Sequence, residues 1–382
     1  MENTPLAGLK VIELARILAG PWVGQTLADL GADVIKVESP EGDDTRTWGP
    51  PYFDVEGEQS AAYFQGCNRG KRSVTADFRN VQGQELVCEL VSQADVLIEN
   101  FKLGGLEKYG LDYESLKKIN PRLIYCSITG FGHDGPYAER AGYDFMIQGM
   151  AGIMDLTGEP DREPQKIGVA FADIFTGLYS VIAIQSALMM RERTGHGQHI
   201  DMALFDCMTA VLANQGMNYL ATGKAPKRMG NAHPNIAPYQ TLPVSDGYFI
   251  IACGNDGQFA KLAKLLGLDG VAEDENYATN AARVKNRASL TAMLEEKTRG
   301  WSRDALLAEL EKVKVPAGPI NSVADVFSNP QFIARNMQIK PQNVPGLRTP
   351  IKFSDAVLSL DKRSPMLGEH NAEIAELLKK GS

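Results

Sequence analysis

Strand, helix and strand repeat at short intervals in the first third of this chain, and that alternation restricts its fold more than any other feature. The apolar run 9–14 (LKVIEL) precedes a helical stretch at 20–30, a stop at Gly31 and a second apolar run at 32–38 (ADVIKVE). Parallel neighbours need a crossover between them, so two such runs within about thirty residues form a βαβ unit. A helix near 81–93, a strand at 94–98 (ADVLI), a helix near 112–119 and a strand at 122–128 (RLIYCSI) continue the series. The predicted fold class is α/β, with a Rossmann-like, doubly wound parallel sheet.

The chain has 382 residues, enough for more than one domain. Its character changes near 224, where KAPKRMGNAHPNIAP reads as a connector. A hairpin follows, QTLPV and YFIIAC around Ser245-Asp246-Gly247. Helical patterns lie at 259–266, 281–298 and 302–313, and AGPI at 317–320 is a strand candidate. The expected organisation is a large domain over 1–200, a linker at 201–225 and a smaller α+β domain inserted at 226–325. Residues 326–382, with strand-like IKF at 351–353 and a helix near 369–379, then return, so that both chain ends build the large domain.

Thirty-nine basic against forty-seven acidic side chains give a net charge of −8, which speaks against a nucleic-acid partner. The five cysteines are scattered without a C-x-x-C, as expected of reduced thiols in a cytoplasmic protein that holds no metal. MENTPLAGLK lacks the order of a signal peptide. The most apolar stretch, 175–190, is interrupted by Thr176, Gly177, Ser180, Gln185 and Ser186 and is shorter than the roughly 20 residues of a membrane span. No membrane partner is expected.

A nicotinamide dehydrogenase is one function for such a sheet. Glu38 ends the second strand, where those enzymes place a ribose-binding acid. The first turn, however, reads ARILAGP and lacks the G-x-G-x-x-G that admits a pyrophosphate. No nicotinamide is therefore expected, and Glu38 is assigned to a strand end or an ion pair.

Within 166–195, Asp173 stands among Val169, Ala170, Phe171, Ala172, Ile174 and Phe175, ahead of a helical pattern closed by Arg191, Arg193 and Gly195. Asp173, Thr176, Gly177 and Ser180 form a small polar face that another backbone or a ligand can approach closely. Two readings of Asp173 are open: an N-cap, or a nucleophilic carboxylate kept ionised by the helix N-terminus. The segment 39–80 reads as a long irregular loop. Its Arg69, Lys71 and Arg72 are electrostatic candidates for phosphate. The loop GFGHDGPY at 130–137, followed by Arg140, Tyr143 and Asp144, lies beyond a strand end, where ligands of open sheets bind. His196 and His199 are taken as surface residues.

Together these motifs resemble the class III coenzyme A transferases, the family of formyl-CoA and carnitine CoA transferases. The matching stretches are LAGP at 18–21, GADVIKVE at 31–38, NRGKRSVTADFRN at 68–80, ADVLIENF at 94–101 and GFGHDGPY at 130–137. GVAFADIFTG around Asp173, TGHGQHIDMALFD at 194–206, GNDGQF at 254–259 and PMLGEH at 365–370 complete the set. The resemblance implies an acyl-CoA:carboxylate CoA-transferase in which Asp173 is the nucleophile, working through aspartyl anhydride and aspartyl-CoA thioester intermediates. It implies oxyanion donors in the loop holding Gly254, Gly257 and Gln258, although Asn255 and Asp256 replace a run of glycines. CoA contacts carry over to Leu18, Ala19, Arg79, Asn100, Phe101, Lys102, Lys108, Arg140, Tyr143 and Asp144. The implied partners are acyl-CoA, a small carboxylic acid and a second copy of the chain in an interlocked homodimer.

Two alternatives remain on this scaffold. One is a non-catalytic acyl-CoA-binding protein. The other is a 2-methylacyl-CoA racemase, which pairs the aspartate with a histidine in a His-Asp dipeptide. Here that dipeptide is Tyr143-Asp144, and a tyrosine of ordinary pKa near ~10 exchanges protons poorly at neutral pH.

Overall fold

The computed structural model describes residues 3–381. They form two compact units. The first draws on the chain up to Ile153, on Lys166–Met217 and on the chain from Gln331 onward; the second comprises Met154–Gln165 and Asn218–Pro330.

The first unit is built on six parallel strands in the spatial order Arg72–Thr75, Asp33–Glu38, Lys10–Glu13, Val96–Glu99, Ile124–Thr129 and Gln198–Ala203. Numbered along the chain this is 3-2-1-4-5-6, the Rossmann order. Its direction reverses between Lys10–Glu13 and Val96–Glu99, so a ligand crevice is expected beyond the carboxyl ends of those two strands. Because side chains alternate along a strand, the sheet feeds two cores. On one face Val11, Val96, Ile98, Ile124 and Cys126 pack against helices Ala19–Asp29 and Phe171–Thr194. On the other, Ile12, Ile35, Leu97 and Tyr125 pack against Val87 and Leu90 of helix Val81–Ser92, Leu116 of helix Tyr113–Ile119, and Ile374 and Leu378 of the C-terminal helix.

Two of these strands were not expected. The segment 39–80 contains a hairpin (Tyr52–Val55 with Glu58–Ala61) and the edge strand Arg72–Thr75. That short edge is covered by the returning tail. Ser73 N–H donates to His370 Nδ1 (3.2 Å), Gly368 N–H to Ser73 Oγ (3.0 Å) and Thr75 N–H to Asn371 Oδ1 (2.9 Å), which blocks further strand addition. Gln198–Ala203 forms the other edge where a turn was read; His199 is half-buried and stacks on Tyr113. Residues 351–353 lie outside any strand.

Helix Phe171–Thr194 has 24 residues, longer than its sequence suggested, and by length and composition alone it could cross a membrane. One face (Ala172, Thr176, Gly177, Ser180, Val181, Ile184, Ala187 and Arg191) is buried in its own unit. A Cβ on Gly177 would meet the Ala19 carbonyl oxygen and the Trp22 side chain at 3.1 Å, so the small face admits the helix Ala19–Asp29. Leu178, Ile182 and Met189 on its other face are exposed.

A buried charge cluster lies under the first turn. Lys36 Nζ reaches Glu13 (3.1 Å) and Asp43 (2.9 Å), and Lys71 Nζ reaches Glu13 (2.8 Å), Asn68 (2.8 Å) and the Pro21 carbonyl (2.9 Å). All four ion-pair side chains are fully shielded from solvent. Burial alone would lower the Lys36 pKa, but Glu13, Asp43 and Glu38 outweigh it and the ammonium is held charged.

The second unit centres on a three-stranded antiparallel sheet, Ala317–Pro319, Gly247–Ala252 and Tyr239–Val244. Leu242, Phe249 and Ile251 meet Phe259, Leu262, Leu290 and Leu306 in its core. The helix expected over 281–298 is two, Asn280–Lys285 and Arg287–Thr298. Arg283, fully buried, donates to the Ala237 carbonyl (2.7 Å) and to Asp256 (2.7 Å).

Candidate active site

Asp173 occupies the third position of helix Phe171–Thr194; the N-cap position is Ala170, which offers no side-chain acceptor. The cap comes from elsewhere. Asp144 Oδ1 accepts the N–H groups of Ala172 (2.7 Å) and Asp173 (3.4 Å), and its Oδ2 accepts Gln148 Nε2 (2.7 Å). Gln148, fully buried, in turn accepts the Ile167 N–H (2.9 Å). Asp144 therefore takes the dipole stabilisation that Asp173 was expected to enjoy, and it adds a like charge. Asp173 is half-buried and accepts no hydrogen bond among the described residues. Burial, with Asp144 second, pushes its carboxyl up to about 7. The N-cap reading does not hold, nor does the expectation of a carboxylate simply kept ionised. The structure presents an under-solvated, basic carboxylate, which is a better nucleophile when it ionises.

Tyr63, partly exposed, lies within electrostatic reach of Asp173 and Asp144. Burial and then the charges of Asp173, Cys67 and Asp144 push its hydroxyl up to about 12, so it stays a neutral donor at physiological pH. Its ring meets Trp48 edge-on at 5.1 Å. Nothing local in AAYFQG marks this tyrosine; its role arises from tertiary proximity. Leu18 and Ala19, both buried, open the helix whose Ala19 carbonyl lies against Gly177, one turn beyond Asp173.

At the crevice end of the sheet a cavity of about 220 Å³ is lined by Leu14, Arg16, Ser39, Phe78, Arg79 and Phe101, among others. It opens beyond strands Lys10–Glu13, Asp33–Glu38 and Arg72–Thr75 and, at Phe101, reaches the end of Val96–Glu99, where the strand order switches and open sheets of this kind bind ligands. Arg79 is 70% exposed and bonds only Asp77 closely (2.8 Å). Arg16 lies over the Phe101 ring at 5.6 Å. Of the CoA candidates, Arg79 and Phe101 thus share one cavity with Arg16, which the sequence did not single out. Lys102, Lys108 and Arg140 are exposed, with Lys108 on Tyr109 (4.7 Å) and Arg140 on Tyr137 (3.9 Å).

Three cations require correction. Arg69 is buried, with its guanidinium on Asp29 (2.6 and 3.0 Å) and the Leu347 carbonyl (2.9 Å). Lys71 belongs to the buried cluster, and Arg72 bonds Asp33 and Glu373. Each is already paired with a protein carboxylate, which takes the charge a phosphate would need. Tyr143 is exposed, and Asp144 serves as a helix cap. Glu38 pairs with Arg46 through two bonds of 2.7 Å.

His133 lies on the sheet face away from helix Phe171–Thr194. Its N–H donates to Asp201 (2.9 Å), and its ring lies 5.0 Å from His199 and shares a cavity with Glu99, Ser127 and Tyr125. In the second unit, Gly254 N–H donates to Gln258 Oε1 (2.7 Å), Gln258 N–H to Asn255 Oδ1 (2.9 Å), and Asn255 caps helix Asp256–Leu265. Two of the expected oxyanion donors are therefore engaged within their own loop. Among the described residues no group of three or more His, Cys, Asp or Glu side chains is arranged to hold a metal ion.

The chain is 57% identical over 385 aligned positions to a succinate–glutarate CoA-transferase of Agrobacterium fabrum, covering 98% of this chain and 96% of that one. It is 43% identical to an acetyl-CoA:oxalate CoA-transferase of Acetobacter aceti, covering 92% and 89%. The crystal structure of a CAIB/BAIF family protein from Brucella suis superposes with a TM-score of 0.90 at 80% identity, covering 98% and 100%. The model of CoA-transferase family III matches residues 6–371, and the chain belongs to that family: it is an enzyme that transfers CoA between an acyl-CoA and an acid.

Proposed function

We propose that this enzyme exchanges CoA between four- and five-carbon dicarboxylates, succinyl-CoA and glutarate being the favoured pair, with Asp173 as the covalent carrier. The observation that carries the nucleophile is the Asp173 carboxyl: half-buried, without a hydrogen-bond donor and pushed up to about 7 beside Asp144. Supporting the substrate class are the succinate–glutarate relative and a succinyl-CoA:glutarate CoA-transferase of Mus musculus, 42% identical over 97% of this chain and 85% of that one.

In the first step an Asp173 carboxylate oxygen attacks the thioester carbon, the C–S bond breaks and CoA leaves as thiolate, giving a mixed anhydride. The thiolate then attacks the aspartyl carbonyl, releasing the donor acid and leaving an aspartyl-CoA thioester. The acceptor carboxylate attacks that thioester, expelling the thiolate again. Finally the thiolate takes the acceptor acyl group and Asp173 is restored. Splitting the transfer in this way divides one high barrier into smaller ones. Each addition passes through an oxyanion, for which the neutral Tyr63 hydroxyl is a nearby donor. The cavity holding Arg16, Arg79 and Phe101 suits the adenosine end of CoA. Exposed Leu178, Ile182 and Met189 on the nucleophile helix suit the interface of a homodimer, which we take to be interlocked.

Racemisation is disfavoured because Tyr143 is exposed at the position of the second base and His133 serves the opposite sheet face. Succinyl-CoA and glutarate should give glutaryl-CoA, whereas a chiral 2-methylacyl-CoA in deuterated water should not gain α-deuterium without an acceptor acid. Failure of transfer to any dicarboxylate, together with rapid α-deuteration, overturns this reading.

A further inference from the structure

The turn that carries Asn100, Phe101 and Lys102 leaves the sheet at the switch in strand order; Phe101 is partly packed against the core, but the space under the turn is incompletely filled. A cavity of about 200 Å³ lies beneath it, lined by residues of the turn, by Tyr125 and Ser127 of the sheet, and by His133 and His199. Where packing does not hold a segment, its polar tethers decide its position. Two are present. Asn100 clasps the Arg16 backbone, accepting its N–H (2.8 Å) and donating to its carbonyl (2.7 Å). Glu99, the last residue of strand Val96–Glu99, is only 5% exposed, and its Oε2 accepts the Phe101 N–H (2.8 Å). Ser127 stands opposite Glu99 in register and helps hold its carboxyl.

We propose that Glu99 is a positioning residue for coenzyme A: by accepting the Phe101 N–H it fixes the Phe101 ring and the Arg16 side chain above it, and so shapes the nucleotide end of the site without touching the reacting thioester. This rests on the CoA-transferase reading and deepens it. The side chain points away from the nucleophile helix, because Glu99 shares its sheet face with Leu97 and Tyr125, while Ile98 and Cys126 face that helix. Its effect must therefore travel through the turn. Burial pushes its carboxyl up to about 7, so an amide, which offers the same acceptor oxygen, should replace it well.

The test uses the full enzyme with acyl-CoA and with the corresponding acyl-pantetheine, which lacks the nucleotide. Glu99→Leu removes the acceptor and should raise KM for acyl-CoA roughly tenfold. The kcat should stay unchanged, and so should KM for acyl-pantetheine. Glu99→Gln should restore the wild-type KM. Glu99→Ala, which removes the same acceptor with less bulk beside the cavity, should repeat the leucine pattern and stands in if Glu99→Leu fails to fold. An equal rise for both substrates, a fall in kcat at constant KM, or unchanged KM in Glu99→Leu and Glu99→Ala overturns the proposal. So does a glutamine variant as impaired as the leucine one. Covalent labelling of Asp173 by acyl-pantetheine in the wild type separates the two levels: its absence counts against the transferase reading, not against Glu99.

Discussion

A fully buried and a half-buried pair of carboxylates sit within the same unit and behave in opposite ways. Under the first turn, Glu13 and Asp43 are sealed from solvent, yet Lys36 supplies positive charge to both at 2.9–3.1 Å, and Lys71, whose pKa burial lowers, lies 2.8 Å from Glu13. At the start of helix Phe171–Thr194, Asp144 raises the pKa of Asp173, no cation pairs with Asp173 among the described residues, and Asp144 takes the backbone donors. Oppositely charged partners make the first set a support for the loop above it. Like charges and incomplete solvation make the second set basic and reactive, a pattern expected of functional sites. Which role a buried charge takes thus depends on the sign and reach of its neighbours more than on depth.

The largest effect that separates the two sets should come from Asp173→Asn. Turnover should fall on the order of 10⁴-fold or more, as when a nucleophile is removed, while the fold survives. The sign of the stability change is a sharper check. A carboxyl whose folded pKa lies near 7 binds its proton more tightly when folded, so its penalty grows as pH rises from the unfolded value and is complete above about 7. The asparagine variant should gain Tm at pH 8 and little at pH 4. A lower Tm at pH 8 would place Asp173 among the structural charges.

Lys36→Met should do the reverse. It leaves Glu13 and Asp43 without their shared cation and should cost roughly 3–5 kcal/mol in urea unfolding. A loss below about 1 kcal/mol would mean that the cluster is not the support assigned to it.

Arginines give the next comparison. Arg79→Ala should weaken CoA roughly tenfold with Tm unchanged, because the exposed guanidinium lines the nucleotide cavity. Arg69→Ala should lower Tm and leave the CoA affinity of the folded fraction intact, because its partner is Asp29. Calorimetric titration checks both, and exchanged outcomes would reverse the assignment. The smallest effect belongs to Asp144→Asn. The amide oxygen still caps the helix but the like charge is gone, so the acid limb of the kcat profile should move to lower pH. A limb that stays in place would remove Asp144 from the causes of Asp173's basicity.

Much of the sheet was legible because buried parallel strands are apolar runs: 9–14 and 32–38 contain observed strands, and 94–98 and 122–128 each overlap one that ends a residue later. Arg72–Thr75 was hidden by its length and by flanking cations, and it is completed by Asn371 and His370 nearly three hundred residues away. Gln198–Ala203 has polar alternation and becomes a strand only through pairing with Ile124–Thr129. Asp173 could be singled out because one carboxylate stood in an apolar stretch at a helix start. Arg69 and Lys71 misled for the complementary reason: the acids that consume them, Asp29 and Glu13, lie 40 and 58 residues earlier. Tyr63 carried no local signal, since its environment is set by Asp173 and Asp144.

The central claim is that Asp173 becomes covalently acylated. The enzyme should be incubated with succinyl-CoA, trapped with hydroxylamine or borohydride, digested and mapped by mass spectrometry. The account predicts modification on the peptide containing Asp173, dependent on acyl-CoA and missing in Asp173→Asn. A label confined to another residue, or undiminished turnover in Asp173→Ala, would contradict it.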